Sequence, residues 1–190
     1  MKKLLAIALL VIPFFGFSQT TKPIDGFLGI KFGSTKEQVL AAMKAKGATI
    51  NKDSESDFLL FDKVGLGHRQ TTSFGVKFID NKVYWAVFMF KAEDDPKTIE
   101  YYDSLVRDVD EVYGKGTSKK IFRESFKDGD GYELTAIQTG DADYFTNWKS
   151  NNGSIQAQIN SKLSIFLIYQ DENLRKEADA RQKAKEKSDF

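Results

Sequence analysis

The sequence predicts an α+β protein built on one antiparallel sheet, with two helices packed on one face and a polar helix at the C-terminus. Two segments repeat apolar residues at helical spacing, several short apolar segments follow one another through turn-forming residues, and the C-terminal stretch is charged. Strands joined by short turns pair antiparallel. The expected order is β-α-β-β-β-α-β-β-β-β-β-α, with about seven to nine strands in the sheet.

Two segments have both the capping residues and the apolar spacing of helices. In the first, Ser34 and Glu37 form the pair of a capping box, and an apolar stripe runs on toward Gly47, which suits a helix end. In the second, the Asp-Pro pair at 95–96 is a strong helix start, and apolar residues recur every three or four positions until Gly114. These two segments are the predicted packing helices.

The remaining apolar segments have the length and alternation of strands. Before the second helix, the strand candidates are residues 27–32, 58–61, 72–78 and 83–90. The last of these is apolar on both faces, which is typical of a central strand. After the second helix, a five-strand meander is predicted at residues 121–126, 132–138, 143–149, 154–159 and 163–169.

The N-terminus has the pattern of a secretory signal. Two lysines precede an uncharged apolar run at 4–17, and Gly16 and Ser18 place small side chains at the −3 and −1 positions of a cut before Gln19. A membrane-spanning helix needs about 20 apolar residues, which is more than this run supplies. We expect export to the periplasm or beyond, with cleavage near Ser18/Gln19. An uncleaved membrane anchor is the alternative.

The predicted division of the chain is a signal peptide at 1–18, a loose lead-in at 19–25, one α+β domain at 26–170 and a charged C-terminal helix or tail at 171–190. A chain of this size can bury about 70% of its unfolded surface. Sixteen Phe, seven Tyr and two Trp supply the core. Each half holds a helix followed by strands, so a duplicated architecture stays open.

Composition excludes several function classes. The chain has no cysteine, which excludes disulfides, zinc–thiolate sites, iron–sulfur clusters, thiol nucleophiles and a cysteine-linked lipid. Its 28 basic and 27 acidic residues nearly cancel and form no basic block, so we expect no nucleic-acid partner. No glycine-rich phosphate loop is present, and no cofactor is predicted. After signal cleavage we expect no membrane span.

Asp128 and Asp130 are the candidate metal ligands. They alternate with Gly129 and Gly131, and alternating carboxylates at glycine turns can place oxygen atoms around calcium. The twelve-residue calcium loop of an EF-hand needs further ligands that this segment lacks. A plain hairpin turn uses the same Asp-Gly pairs and is the alternative.

Four side chains are candidates for a binding face. Tyr144 and Trp148 share one face of a predicted strand and could stack on a sugar or peptide, while Gln156 and Gln158 alternate with apolar residues on the next strand. Burial of the two rings in the core is the alternative.

The sequence has one histidine, His68, in a glycine-flanked segment without the Gly-x-Ser-x-Gly elbow that would present a serine to it. We interpret it as a loop or strand-edge imidazole. Acidic pairs, such as those within 93–95, could serve a hydrolase, but the sequence does not show which of them converge in a cleft. A carboxylate-based hydrolase therefore stays an alternative, with no catalytic residue predicted.

The motif Gly-Ser-Thr-Lys-Glu-Gln-Val at 33–39, between a strand and an amphipathic helix, resembles the opening of the BamE/SmpA-like and β-lactamase-inhibitor-like α+β modules. With Val-Tyr-Gly at 112–114 after the second helix, the chain also resembles uncharacterised exported bacterial proteins. It departs from the BamE pattern because it lacks the lipidated cysteine and a Gly-x-Pro after the first helix. The resemblance implies a cell-envelope interaction module whose sheet meets partners, with no catalytic residues to transfer.

The resulting hypothesis is a non-enzymatic exported module of the bacterial envelope that binds a protein or glycan through the polar face of its sheet. The alternatives are the carboxylate-based hydrolase and a calcium-stabilised secreted domain.

Overall fold

The computed structural model describes residues 22–188. The predicted signal at 1–18 and its cleavage site lie outside the described residues. Across residues 22–188, no helix combines the length and the apolar character that crossing a bilayer requires.

Four helices and twelve strands make up the described part of the chain. The helices are α1 Lys36–Ala45, α2 Thr98–Tyr113, α3 Glu133–Thr139 and α4 Glu172–Ser188. The strands are β1 Gly26–Phe27, β2 Ile30–Lys31, β3 Thr49–Ile50, β4 Phe58–Asp62, β5 Gly65–Leu66, β6 Arg69–Gln70, β7 Ser73–Ile79, β8 Lys82–Phe90, β9 Thr117–Phe122, β10 Ala142–Lys149, β11 Gly153–Ile159 and β12 Ile165–Asp171.

Eight strands form one antiparallel sheet in the order β3-β4-β7-β8-β12-β11-β10-β9. The predicted α+β class with a large antiparallel sheet is therefore confirmed. Each half contributes a helix followed by four strands of this sheet, and the last strands of the two halves, β8 and β12, pair at the centre. The two halves thus have the same order of elements across a central seam, and the strand predicted to be central, β8, is central.

The core lies between the sheet and helices α1 and α2. Phe74, Phe88 and Leu167 are in register on neighbouring strands, so they share one face of the sheet. Val39 of α1 and Leu105 of α2 belong to the same buried cluster as these three residues. Both predicted helices therefore pack on one face, as expected.

The predicted strand at 132–138 is wrong, because these residues form helix α3. Ala136 and Ile137 are buried together, which a helix turn permits for adjacent residues. Glu133 lies in the first turn and Gly140 ends the helix in the left-handed region at φ 86°. The second half therefore contributes a four-strand meander, with β9 starting at Thr117 rather than at the predicted residue 121.

Both helix starts are displaced from the predicted residues. Thr35 and Gln38 form the capping box of α1. The carbonyl of Ser34 instead accepts the N–H of Val83 near the start of β8. Helix α2 begins at Thr98, after a single 3₁₀ turn at Asp95–Lys97. The predicted end of α2 at Gly114 is confirmed.

The predicted C-terminal helix is confirmed as α4. It has no buried residue, and its partly buried positions include Leu174 and Ala178, the two positions predicted as a thin packing stripe. Helix α4 contacts β8 and β12.

Candidate functional site

The face of the sheet opposite α1 and α2, here called the open face, is the candidate functional site. Successive side chains of a strand point to opposite faces, so the strand register shows which residues share it. Three rows of side chains cross it: Phe58, Lys77, Trp85, Gln170, Ser154 and Lys149 in the first, Leu60, Gly75, Val87, Ile168, Gln156, Asn147 and Thr117 in the second, and Ser73, Met89, Phe166, Gln158, Phe145 and Lys119 in the third.

The middle of the open face is apolar. Leu60, Met89, Phe166 and Ile168 are partly exposed, and Val87 between them is 8% exposed. Val87 and Ile168 are direct cross-strand neighbours, as are Met89 and Phe166, and Leu60 lies across Gly75, which has no side chain, from Val87. These side chains therefore form one apolar patch. Contiguous exposed apolar patches mark interaction surfaces when their area is larger than that of singly scattered apolar surface residues.

Polar groups border this patch on the β10–β9 side. Gln156, Gln158 and Asn147 are partly exposed there, and Lys119 and Lys149 are exposed. An apolar centre with a polar rim is the usual composition of a protein–protein interface.

An aromatic pair holds a lysine at the β4 end of the first row. The Phe58 and Trp85 ring centroids are 6.3 Å apart, and Lys77 Nζ lies 5.1 Å from the Trp85 ring and 5.8 Å from the Phe58 ring. Gly75 has no side chain here, and a Cβ at this position would lie 2.8 Å from the Phe58 ring. The glycine therefore lets the Phe58 ring lie flat over β7.

Helix α4 lies beside the first row of the open face. Glu172 accepts hydrogen bonds from Ser154 Oγ at 2.6 Å and Gln170 Nε2 at 3.0 Å. Farther along, Arg181 donates to both Asp80 oxygens at 2.6 Å, and this hydrogen bonding holds the pKa of Asp80 below its ordinary value. A cleft of about 790 Å³ lies between α4 and the strand ends beside Trp85.

The four predicted binding residues lie on opposite faces of the sheet. Gln156 and Gln158 are on the open face, but Tyr144 and Trp148 are on the helix-covered face and are 1% and 3% exposed. Trp148 Nε1 donates to Asp110 of α2 at 2.8 Å. The two rings are therefore core residues, and their predicted role in a binding face is corrected. Of the four candidates, only Gln156 and Gln158 lie on the open face. The sequence analysis did not predict the apolar centre of that face.

A chain of hydroxyl hydrogen bonds joins α2 to the covered face of the sheet. Tyr102 Oη and Thr146 Oγ1 are 2.7 Å apart, and Thr146 Oγ1 is 2.9 Å from Ser118 Oγ. Burial raises the pKa of Tyr102 to about 12, and burial also raises the pKa values of Tyr144 and Tyr169.

These tyrosines predict a loss of stability at alkaline pH. An unfolded tyrosine ionises near pH 10. The folded state keeps its proton longer, so stability is intact below about pH 10 and declines above it by about 1.4 kcal/mol per pH unit for each buried tyrosine. Denaturant unfolding measured between about pH 9 and about pH 12 tests this. Tyr102→Phe should reduce the loss of unfolding free energy per pH unit by the contribution of one buried tyrosine, whereas replacing the exposed Tyr132 by Phe should leave that loss unchanged. Equal pH dependence in the unmodified protein and in both variants would contradict the prediction.

The side chains of the predicted metal ligands make turn contacts. Asp130 accepts the N–H groups of Lys127 at 2.9 Å and Tyr132 at 2.8 Å, and Asp128 pairs with Lys120 Nζ at 3.0 Å. Within residues 22–188, no group of three or more His, Cys, Asp or Glu side chains has the arrangement that holds a metal ion. Their contacts match the hairpin-turn alternative better than a calcium loop, although the segment leads into α3 rather than a strand.

The predicted loop position of His68 agrees with the structure. It is exposed, beside Gly67 in the turn between β5 and β6. The neighbouring Arg69 is buried instead and donates to Asp108 and Ser104 of α2, which attaches this hairpin to the helix.

The fold and the open face together define a class: an α+β protein whose eight-stranded antiparallel sheet is packed under two helices on one side and left largely open on the other. Comparison of the chain with protein-family models, with curated proteins and with solved structures found no match.

Proposed function

We propose that this chain is a non-catalytic, exported binding module of the bacterial cell envelope, and that its open face holds a partner protein. The observation that supports this most is the continuous apolar centre of the open face, which α4 leaves uncovered. Covering such a patch is favourable by about 25 cal/mol for each Å² removed from water.

The side chains of the open face favour a protein over a glycan. Val87, Met89, Ile168 and Leu60 are aliphatic or thioether side chains that offer no hydrogen bonds to sugar hydroxyls. The aromatic rings of Phe58 and Trp85, which could stack on a sugar, have Lys77 beside them. An apolar surface on a partner protein would cover the centre of the open face, and the amides and lysines of the rim can pair with polar groups at the border of the partner surface.

Export is supported by the sequence. The positive, apolar and small-residue segments of the N-terminus have the order that a secretory signal requires. A chain without cysteine that acts outside the cytoplasm depends on its core, and the aromatic cluster around Phe88 provides one.

A photo-crosslinking amino acid at Phe166 tests the proposal in bacterial cells that express the full chain. We expect discrete protein adducts at this position, since Phe166 lies in the third row of the open face, away from α4. An excess of the purified, non-crosslinking protein should compete them away. The matched control is Val112, which is 46% exposed on α2.

Adducts of equal yield at Phe166 and Val112, or none at Phe166, would contradict the proposal. Adducts that resist protease and carry carbohydrate would show a glycan partner instead. In the competition assay, unlabelled Phe166→Arg should compete at least about tenfold less well than the unmodified protein, because it places a charge in an interface centre.

A further inference from the structure

Strand β9 forms one edge of the sheet, and no strand between residues 22 and 188 pairs with its outer side. Its six residues pair with β10 alone, and five of them are exposed. The opposite edge is β3, which has only two residues. A free edge presents N–H and C=O groups in the pattern that another strand recognises.

The register identifies which backbone groups are free. The Arg123 N–H donates to Asp141 O at 2.7 Å, which marks that pair as hydrogen-bonded. Hydrogen-bonded and non-hydrogen-bonded pairs alternate along an antiparallel ladder. The N–H and C=O groups of Ser118, Lys120 and Phe122 therefore point away from β10, and no other backbone group within 22–188 bonds to them.

Unpaired lysines surround this edge. A cleft of about 460 Å³ beside the start of β9 is lined by Lys115, Lys119 and Lys149, together with Tyr113 and Trp148, and by no carboxylate. None of the three lysines forms an ion pair with another residue between 22 and 188. The edge therefore has both a free backbone and three lysines that form no ion pair within residues 22–188.

The charge decides what kind of strand the edge can accept. A second copy pairing β9 with β9 would bring the Lys119 side chains of the two copies close together, and like charges across a ladder are destabilising. A segment with carboxylates on alternate residues would place them beside these lysines. Charge complementarity therefore favours an acidic partner over self-association.

We propose that the β9 edge binds an acidic, extended segment of a partner protein as a ninth strand of the sheet. The backbone of that segment pairs with Ser118, Lys120 and Phe122, and its carboxylates on the open-face side meet Lys115 and Lys119. This is strand addition, in which main-chain hydrogen bonds give affinity and side chains give specificity. The edge borders the open face but does not depend on it.

The test uses a capped peptide of alternating Glu and Thr, about ten residues long, which is the upper range of strand length. In amide hydrogen exchange, we expect the N–H groups of Ser118, Lys120 and Phe122 to exchange fast in the free protein and to become protected when the peptide binds. Phe166→Arg should leave this binding unchanged, which separates it from the proposed function of the open face.

Lys120→Pro and Lys120→Ala form a matched pair. Both remove the lysine side chain, but only proline removes the outward N–H, and an edge strand tolerates proline where its N–H faces solvent. We expect Lys120→Pro to bind the peptide about tenfold more weakly than Lys120→Ala, since the added ring also obstructs the incoming strand. Ser118→Pro and Ser118→Ala repeat the comparison if one proline variant fails to fold.

A second arm tests charge. The double variant Lys115→Glu and Lys119→Glu should weaken binding at least about tenfold at low salt. The same double reversal at Lys44 and Lys46, at the C-terminal end of α1, should change it less than about twofold. Affinity should fall between about 0.01 M and about 1 M salt.

Three results would overturn the proposal. Equal binding of Lys120→Pro and Lys120→Ala, together with unprotected β9 amides, would exclude strand pairing. Equal binding of a Lys-Thr peptide would exclude charge selection. Binding of inorganic polyphosphate as tight as that of the peptide would show attraction of any polyanion.

Discussion

Phe88→Ala is expected to lower the free energy of unfolding by about 3–5 kcal/mol, the largest single effect among the substitutions considered. The Phe88 ring is fully buried at the centre of the sheet, with the Phe74 ring 4.6 Å and the Tyr169 ring 5.7 Å away, centroid to centroid. Removing it takes away apolar burial and leaves a cavity that β7, β8 and β12 cannot close without breaking their ladders.

The adjacent residue provides the control for this prediction. Met89 is on the same strand but points to the open face and is partly exposed. Met89→Ala should therefore cost less than about 1.5 kcal/mol, because water already reaches part of the side chain. Urea unfolding monitored by tryptophan fluorescence and by circular dichroism measures both variants. Equal destabilisation by the two substitutions would show that the faces are assigned incorrectly.

Gly153→Ala is expected to destabilise the fold by about 2–3 kcal/mol and to displace the N-terminal segment from the sheet. A Cβ on Gly153 would lie 1.9 Å from the carbonyl oxygen of Ile24, a backbone atom that cannot rotate away. Ile24 is buried at 5% exposure, and Phe27 after it packs on Phe74. The substitution therefore forces apart two backbones that the native fold holds in contact.

Thermal unfolding and amide exchange test this prediction together. We expect the Phe32 N–H, which donates to Asp25 O at 2.9 Å, to exchange faster in the variant, since the segment around β1 and β2 loosens. Gly65→Ala is the control, because there a Cβ approaches only the flexible Gln70 side chain within 3.4 Å. An unchanged melting temperature in Gly153→Ala would contradict the close approach.

The two halves of the sheet differ in ways that bear on function. They share the order of helix and strands, yet the outer edge of one half is the two-residue strand β3 and that of the other is the six-residue strand β9. A long free edge costs a protein in unwanted association, and exposed lysines such as Lys119 and Lys120 limit it. Lys119, together with Lys115, would admit an acidic strand, so protection and selectivity have one physical source.

Local patterns in the sequence determined most of the fold. Apolar spacing and the closing Gly114 located α2, and a doubly apolar segment located the central strand β8, because helical and strand periods are properties of neighbouring residues. The segment at 132–138 was predicted as a strand because a seven-residue helix and a short strand have similar apolar content. Only Glu133 and Gly140 indicated the helix.

The candidate sites depended on tertiary structure. Alternation showed that Tyr144 and Trp148 share a face, but α2 covers that face, and which side a helix covers depends on contacts distant in sequence. Gly153 likewise follows Asn152 in a pair typical of hairpin turns. In the structure its missing side chain is what allows the backbone of Ile24 to approach. The sequence by itself determined the class, helices α1, α2 and α4, and most strands. Only the tertiary structure decided which face is open and which edge is free, because both are set by how the two halves meet.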